Sequence, residues 1–321
     1  MPKLLLDCGP PTDYYASVTR RALFVLNPVA RGAPPIERLR EAIGELDGWE
    51  TSLEATAGPG HATELARAAA ERGLDAVVAC GGDGTAHEVA NGLAGSPTAL
   101  AVVPGGTANV WAKEIRLPRK PAAAVRVLAE GETRTIDLGR AGDRYFLLMA
   151  GVGFDAAIVR GMSGALKRRL GAASYLLQGL RCGLTYRASP AELLSDETSL
   201  PEKLYWLLLG NTRNYAGLLN VTDRARADDG VLDLCLLPTG GLPKLAWLLP
   251  WVLLRRHHGR AGLRYRRVVS LEVRTPGLPV QVDGEYLCET PLRFSVAPGA
   301  LRVVVPRGLR SPLFGEGATD A

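Results

Sequence analysis

The sequence of 321 residues predicts two domains of different class: an N-terminal doubly wound (Rossmann-like) α/β domain, then a C-terminal antiparallel β-sandwich domain. Three observations predict this. Between residues 20 and 115, short apolar runs alternate with helical stretches, the pattern of a parallel sheet covered on both faces. From Thr135 the apolar runs become shorter and are separated by Gly, Pro and Asp turns, as in a sandwich. The length, with 47% apolar residues, is enough for two separate cores.

The elements follow in order. Residues 1–20 read as an irregular lead-in, and Ala22 to Leu26 as the first strand, ending in Asn27-Pro28-Val29-Ala30-Arg31-Gly32. Pro34 and Pro35 introduce a helix over Ile36 to Leu46, since proline is tolerated at a helix start. Trp49 to Thr56 alternates like a second strand. Gly58-Pro59-Gly60 then turns the chain into an Ala-rich helix, His61 to Arg72, stopped by Gly73. Val77 to Cys80 is a buried strand, and Ala86 to Leu93 a helix. Leu100 to Val103 is a fourth strand, running through Pro104-Gly105-Gly106-Thr107-Ala108-Asn109 into a helix over Val110 to Ile115. The helix after Pro121 leaves this domain, whose expected extent is 20–132, completed by 306–321. The second domain, 133–305, has strand-type runs at Tyr145–Ala150, Lys203–Leu209, Val231–Leu237, Val268–Val273, Val280–Val282, Leu292–Val296 and Leu301–Val305. Two helical inserts interrupt it. Residues 160–182 carry Lys167-Arg168-Arg169, and 242–260 lead from Leu242 to Arg255-Arg256-His257-His258. Ser189 to Glu202 reads as a polar loop.

The stretch on which the chain is organised is Gly81-Gly82-Asp83-Gly84-Thr85, between a buried strand and a helix. Glycines admit unusual dihedrals and close backbone approach, and a helix start offers unpaired N–H groups to an anion. Thr85 is a candidate cap, and Asp83 puts a carboxylate where metal-bound phosphate would sit. An isolated turn of this kind equally serves as a tight connection that binds nothing. Asn27, Thr56, Asp83 and Thr107, however, all follow strands. In a parallel sheet such ends share one edge, where ligands bind.

Net charge is +5 with both signs spread along the chain, too diffuse for nucleic acid and compatible with an anionic lipid or nucleotide. Five scattered cysteines without a CxxC suit reduced thiols in a cytoplasmic protein. The N-terminus lacks a signal-peptide pattern. The longest apolar stretch, Leu245 to Leu254, contains Pro250 and is far short of the ~20 residues that span a bilayer. No repeat, low-complexity tract or Gly-x-Ser-x-Gly elbow occurs. His61, His87, His257 and His258 lack metal-ligand spacing and read as capping, surface or polar-face residues. Asp228-Asp229-Gly230 and Asp283-Gly284-Glu285 read locally as turns.

Taken in order, these motifs resemble the diacylglycerol-kinase-like lipid kinases, which include bacterial diacylglycerol and YegS-type kinases and the sphingosine kinases. The likeness runs from about Ala22 to Pro306. It comprises the Asn27-Pro28 loop, Thr56 with Gly60-His61-Ala62, Gly81 to Thr85, Pro104 to Asn109 and Ile136-Asp137-Leu138-Gly139. It continues through Gly151 to Ala156, Gly210-Asn211 with Tyr215, Asp228-Asp229-Gly230 and Val282-Asp283-Gly284-Glu285. The resemblance implies an ATP site formed by Asn27, Pro28, Thr56, Gly81, Gly82, Asp83, Gly84, Thr85, Glu88, Gly105, Gly106, Thr107 and Asn109. It also implies a Mg²⁺ held by Asp229 with the backbone carbonyls of Arg226 and Val231. Asp283 and Glu285 fall on the family's catalytic turn, Glu285 being the expected proton acceptor, with Asp83 completing the catalytic set. The chemistry agrees: a lipid hydroxyl is a poor nucleophile that a nearby carboxylate can deprotonate during phosphoryl transfer, and oxygen donors suit Mg²⁺.

The sequence departs from the family at Arg31, Val110, Ala216 and Asp223, which leaves the lipid class open. The expectation is therefore an ATP- and Mg²⁺-dependent lipid kinase, cytoplasmic and peripherally attached to anionic membrane. It acts on a lipid substrate, binds no nucleic acid and is compatible with a homodimer. The alternatives are an NAD kinase, which shares the Gly-Gly-Asp-Gly turn and a two-domain plan, and a catalytically silent lipid- or nucleotide-binding relative. The Gly105 to Asn109 loop and the Asp283 to Glu285 turn favour the lipid branch. The apolar run before Arg255 and Arg256 suits either shallow insertion beside anionic headgroups or a buried helix with a basic end.

Overall fold

The computed structural model describes residues 19–162, 172–196 and 198–315. The lead-in up to residue 18, Lys167-Arg168-Arg169 and residues 316–321 lie outside them. The first part runs β1 (Arg20–Leu26), α1 (Ile36–Gly44), β2 (Trp49–Ala55), α2 (His61–Glu71), β3 (Ala76–Gly81), α3 (Asp83–Leu93), β4 (Ala99–Pro104), α4 (Val110–Glu114) and α5 (Pro121–Glu130). The four strands pair in parallel in the order β2-β1-β3-β4. Side chains alternate across each strand. Leu23, Val25, Val77, Ala79, Leu100 and Val102 therefore pack on one face, with Ala62, Ala66, Ala86 and Val89 of α2 and α3. Phe24, Val78 and Val103 pack on the other face, with Leu39 of α1 and Val125 of α5. The sheet is covered on both sides, as the alternating pattern predicts.

The chain continues through β5 (Glu132–Ala141), β6 (Arg144–Phe146), β7 (Met149–Gly153), α6 (Phe154–Arg160), α7 (Ala172–Thr185), β8 (Ser189–Ser195), β9 (Thr198–Leu204), β10 (Trp206–Gly210) and β11 (Leu232–Leu237). It ends with α8 (Leu242–Leu253), β12 (Arg264–Val268), β13 (Ser270–Val273), β14 (Pro279–Val282), β15 (Glu285–Glu289) and β16 (Leu292–Val305). One sheet has the order β12-β11-β10-β7-β14-β15, with antiparallel neighbours. It faces β5, β6, β8, β13 and the first half of β16 across an apolar core that includes Phe146, Leu193, Leu209, Leu234, Val280 and Phe294. This is the antiparallel sandwich.

Three local readings change. Ser189 to Glu202 is a hairpin rather than a loop, pairing Ser189 with Leu204 through Ser195 with Thr198. The alternation is present, with Ala191, Leu193 and Ser195 buried against exposed Pro190 and Glu192, but the polar outer face of an edge hairpin masks it. Val268–Val273 divides at Val269 between the two sheets. Leu292–Val296 and Leu301–Val305 join into one strand, because the Ala297–Ala300 irregularity is absorbed within the ladder to β5. There Gly299 N donates to the buried Asp137 Oδ1 at 2.8 Å. The late half of β16 pairs in parallel with β4 and its early half pairs with β13, so one strand couples the parallel sheet to the sandwich. No helix among the described residues is long and apolar enough to cross a membrane.

Candidate active site

The order β2-β1-β3-β4 reverses direction between β1 and β3, and at such a switch point the loops leaving the strands diverge and open a crevice. Asn27 ends β1 there: its Nδ2 donates to Thr85 Oγ1 at 3.2 Å, and its Oδ1 accepts from Val29 N at 3.1 Å, shaping the loop that carries exposed Pro28. Thr56 follows β2, with its N bonded to Leu26 O at 2.8 Å. Gly32 N donates to Gly105 O at 2.9 Å, and Gly105 N to Gly81 O at 2.7 Å. Three loops are thus stacked backbone on backbone. Glycine is required for this: a Cβ on Gly106 would stand 2.5 Å from Gly82 Cα, and one on Gly81 would stand 2.4 Å from Thr85 Oγ1. Asn109 closes the third loop by exchanging two hydrogen bonds with Gly106 at 2.8 and 2.9 Å.

The helix after the glycine turn begins earlier than its sequence suggests. Its N-cap is Gly82, with no side-chain cap, and Asp83 is its first residue. Thr85 therefore does not cap α3 but sits in its first turn, buried, with its hydroxyl taken by Asn27. The first-turn amides have no partner within the helix and remain available to an anion. Asp83 faces the start of α4, where Oδ1 accepts from Trp111 N at 3.3 Å. Burial raises its carboxyl above the usual range; the amides of Trp111 and Val110 oppose this, and the charge of Asp283 adds to it. Glu88, one turn on, accepts from Ala62 N at 3.1 Å and so ties α3 to the start of α2. Thr107 is exposed at the mouth of a pocket of about 340 Å³ that Lys113 and Arg119 also line. These two basic residues lie outside the sequence motifs, and only their positions near the Gly105 loop hint at them.

The Asp283-Gly284 turn joins β14 to β15 with φ of 48° and 84°, both in the left-handed region. A two-residue turn of this kind interrupts strand alternation, so the carboxylates of Asp283 and Glu285 do not share a side. Asp283 is buried. Its Oδ1 accepts from Leu148 N and Met149 N, both at 2.9 Å, and its Oδ2 from Leu147 N at 2.8 Å and His87 Nδ1 at 2.7 Å. Each oxygen thus holds two donors, which fills the acceptor capacity of a carboxylate. Glu285 is exposed, and a Cβ on Gly84 would stand 3.3 Å from its Oε1. The carboxylate that overhangs the uncapped end of α3 is therefore Glu285.

His87 is the residue that sequence reading set aside. It is buried on α3, one turn after Asp83, and joins the glycine-turn helix to the 283–285 turn of the sandwich. Burial alone would lower its imidazole. The hydrogen bond and charge of Asp283 outweigh this and hold it above the ordinary value. Asn91, one turn further, clamps the same helix to β6 by donating to Tyr145 O and accepting from Tyr145 N, both at 3.0 Å. Behind the turn, Gly284 N donates to Gln281 Oε1 at 2.8 Å, and Gln281 Nε2 to the buried Asp155 at 3.0 Å.

The 226–231 turn belongs to a different cluster. The charged neighbours of Asp229 are Arg267, Asp137 and Asp228, whereas those of Asp83 are Asp283 and Lys113. Asp229 Oδ2 takes the Arg267 guanidinium, while Oδ1 is buried without a partner. Asp228 accepts from Gly315 N, and Asp137 from Gly230 N and Gly299 N. An orphaned carboxylate oxygen fits a hard cation, to which Arg226 and Val231 on either side of Asp229 would add backbone carbonyls.

Residues 21–141 match the family described as Diacylglycerol kinase catalytic domain, and residues 149–305 the YegS C-terminal NAD kinase beta sandwich-like domain. A Pseudomonas aeruginosa protein named "Probable lipid kinase YegS-like" is 39% identical over 273 residues, covering 84% of this chain and 88% of that protein. A protein named "Diacylglycerol kinase" from Mycobacterium tuberculosis is 32% identical over 290 residues, covering 88% and 94%. A crystal structure titled as a diacylglycerol kinase from Bacillus anthracis superposes with a TM-score of 0.73 at 22% identity, over 89% of this chain and 97% of that one. At that identity the superposition shows the shared fold.

Proposed function

The chain belongs to the diacylglycerol-kinase-like family of lipid kinases, and from that premise we propose that it transfers the γ-phosphate of ATP to a hydroxyl of a membrane lipid. The observation that carries this reading is the seating of Glu285 over Gly84, at the uncapped N-terminus of α3. It puts a solvent-reached carboxylate next to a helix N-terminus whose free amides suit phosphate.

The roles follow from the contacts. The loops of Asn27, Gly81 to Thr85 and Gly105 to Asn109 receive the nucleotide, with Thr56 and Thr107 at the rim. The amides that open α3 receive phosphate oxygens. Lys113 and Arg119 add positive charge beside the third loop. Asp83 sets the distance between α3 and α4 and faces the phosphates with its carboxylate. Glu285 accepts the proton of the lipid hydroxyl as the phosphoryl group leaves ATP. Asp283 has no lone pair left for that task. We assign it to positioning: it holds residues 147–149 and His87 so that the turn presents Glu285. Glu88 likewise positions α2 rather than touching nucleotide. Mg²⁺ would be held by Asp229 with the carbonyls of Arg226 and Val231, and there it would supply charge neutralisation among the carboxylates of Asp137, Asp228 and Asp229.

Helix α8 supports access to a membrane. Leu248 and Val252 bury its inner face, while Trp247, Leu249, Leu253 and Leu254 are 44–62% exposed. Beside it, α7 exposes Leu177, Leu180 and Leu184, and a Cβ on Gly183 of α7 would meet Leu242 of α8 at 2.3 Å. Arg255 and Arg256 follow at the end of the apolar face. Exposed apolar side chains on two touching helices, with basic residues after the second, suit insertion beside anionic headgroups.

The deciding experiment is transfer of radiolabel from γ-labelled ATP to diacylglycerol, a sphingoid base and phosphatidylglycerol in mixed micelles with Mg²⁺, with NAD as a further acceptor. Label in at least one lipid, lost on Glu285→Gln, is expected. Label in NAD alone would replace this reading with the nucleotide kinase alternative.

A further inference from the structure

We propose that Asp223, His257 and His258 form a second cation site, for a divalent transition metal of the Zn²⁺ class, apart from the catalytic cleft. Asp223 lies in the connection between β10 and β11, and the two histidines follow the apolar helix α8. One ligand atom from each residue can be chosen such that all three lie within 4.8 Å of one another. Asp223 is 7% and His257 0% exposed.

The hydrogen bonds set the tautomers. His257 Nε2 lies 2.8 Å from Val221 O, and a carbonyl can only accept, so that nitrogen carries the proton. His257 Nδ1 then keeps its lone pair, and it is buried without a partner. His258 Nε2 lies 2.6 Å from Asp223 Oδ1, while its Nδ1 is also buried without a partner. Buried polar atoms are rarely left unpaired. Two imidazole nitrogens orphaned on adjacent residues, beside a carboxylate, form a ligand set with no ligand of its own from the protein.

An imidazole held by one nitrogen to a carbonyl or carboxylate, with the other free, is the usual arrangement of a metal-bound histidine. Nitrogen donors select Zn²⁺, Co²⁺, Ni²⁺ or Cu²⁺ over Mg²⁺, which takes oxygen. Two imidazole donors, with Asp223 orienting the His258 ring through Nε2, leave the remaining positions to water, and His258, whose side chain is 19% exposed, gives the site an opening. The position has a consequence: a cation here would fasten the chain leaving α8 to the 211–231 connection, fixing the helix that presents the exposed apolar face. His257 and His258 are adjacent in sequence and Asp223 lies over thirty residues before them, so spacing alone does not reveal the set.

The test uses full-length protein stripped with chelator, in excess Mg²⁺ so that oxygen-donor sites are filled. Titration with Zn²⁺ should show about one equivalent per chain by calorimetry and elemental analysis, with a higher melting temperature. Co²⁺ in place of Zn²⁺ should give visible d–d absorption. His258→Gln, at the partly open position, should weaken Zn²⁺ binding by about 100-fold or more and abolish the Co²⁺ bands, with far-UV circular dichroism unchanged. Asp223→Asn, which keeps the side-chain volume, is the second variant if His258→Gln does not fold. Asp229→Asn should leave Zn²⁺ stoichiometry intact. Less than about a tenth of an equivalent on wild type would overturn the proposal. So would wild-type Zn²⁺ affinity in folded His258→Gln, which would locate the metal elsewhere.

Discussion

Asp283→Asn and Glu285→Gln remove one charge each from the same turn, and the structure predicts opposite consequences. Asparagine tolerates the left-handed φ of 48° at position 283, so the substitution adds no backbone strain. It does replace one double acceptor by an NH₂ group. With that NH₂ in the place of Oδ2, His87 can shift its proton and accept, but Leu147 N–H is left facing another donor. One buried unsatisfied donor costs about 1–3 kcal/mol, and each of the two remaining amide bonds loses about 1 kcal/mol as its acceptor becomes neutral. The sum is roughly 3–5 kcal/mol, or a melting-temperature loss of roughly 4–8 °C for a chain of this size. Glu285 is exposed, so Glu285→Gln should melt within about 1 °C of wild type while kcat falls ~10²–10⁴-fold, as for loss of a general base. Differential scanning calorimetry and single-turnover phosphoryl transfer on both variants decide the matter, with ATP affinity measured in parallel. Wild-type melting of Asp283→Asn would refute the positioning role. Glu285→Gln with kcat within twofold of wild type would refute the base assignment.

Three further outcomes are expected. Gly106→Ala forces a methyl to 2.5 Å from Gly82 Cα, backbone against backbone; overpacking of this kind costs about 1–3 kcal/mol. ATP affinity in equilibrium dialysis should drop at least tenfold, and unchanged affinity would remove the stacked loops from the nucleotide site. Leu249→Asp with Leu253→Asp puts two charges on the exposed face of α8, and sedimentation with phosphatidylglycerol vesicles should fall several-fold while transfer to a water-soluble short-chain lipid persists. Equal sedimentation would return that face to ordinary surface. Burial pushes the Asp155 carboxyl from its ordinary 3.8 up to about 6. Between those values the folded state binds more protons than the unfolded one, so this group makes stability fall as pH rises. Urea titrations from pH 3.5 to 7 should show that component, and Asp155→Asn should flatten it; an unchanged slope would assign it to other groups.

What the sequence revealed and what it withheld divide along one physical line. The parallel sheet, its strand ends and the three glycine loops depend on short-range pattern: β-branched runs, glycine where backbones must approach, and side chains that alternate over six residues. All of these were legible. The features misjudged depend on partners far along the chain. Asp283-Gly284-Glu285 reads locally as a turn, but the positive φ at Asp283 and Gly284 that separates the two carboxylates is not visible in the pattern. The donors that then claim Asp283 are 134 to 136 residues away in the backbone of 147–149, and 196 away at His87. Thr85 looks like a cap only while Gly82 and Asp83 are assigned to the turn; once the helix starts at Asp83, its hydroxyl is free to take Asn27, 58 residues earlier. His87 and Glu88 follow the same rule, since neither bears a local motif and each bonds a different element. Residues proposed to receive phosphate can be read locally, because the ligand would supply the missing half of each interaction. Residues proposed to orient the proton acceptor cannot, because the protein itself supplies both halves, from elements far apart in the sequence.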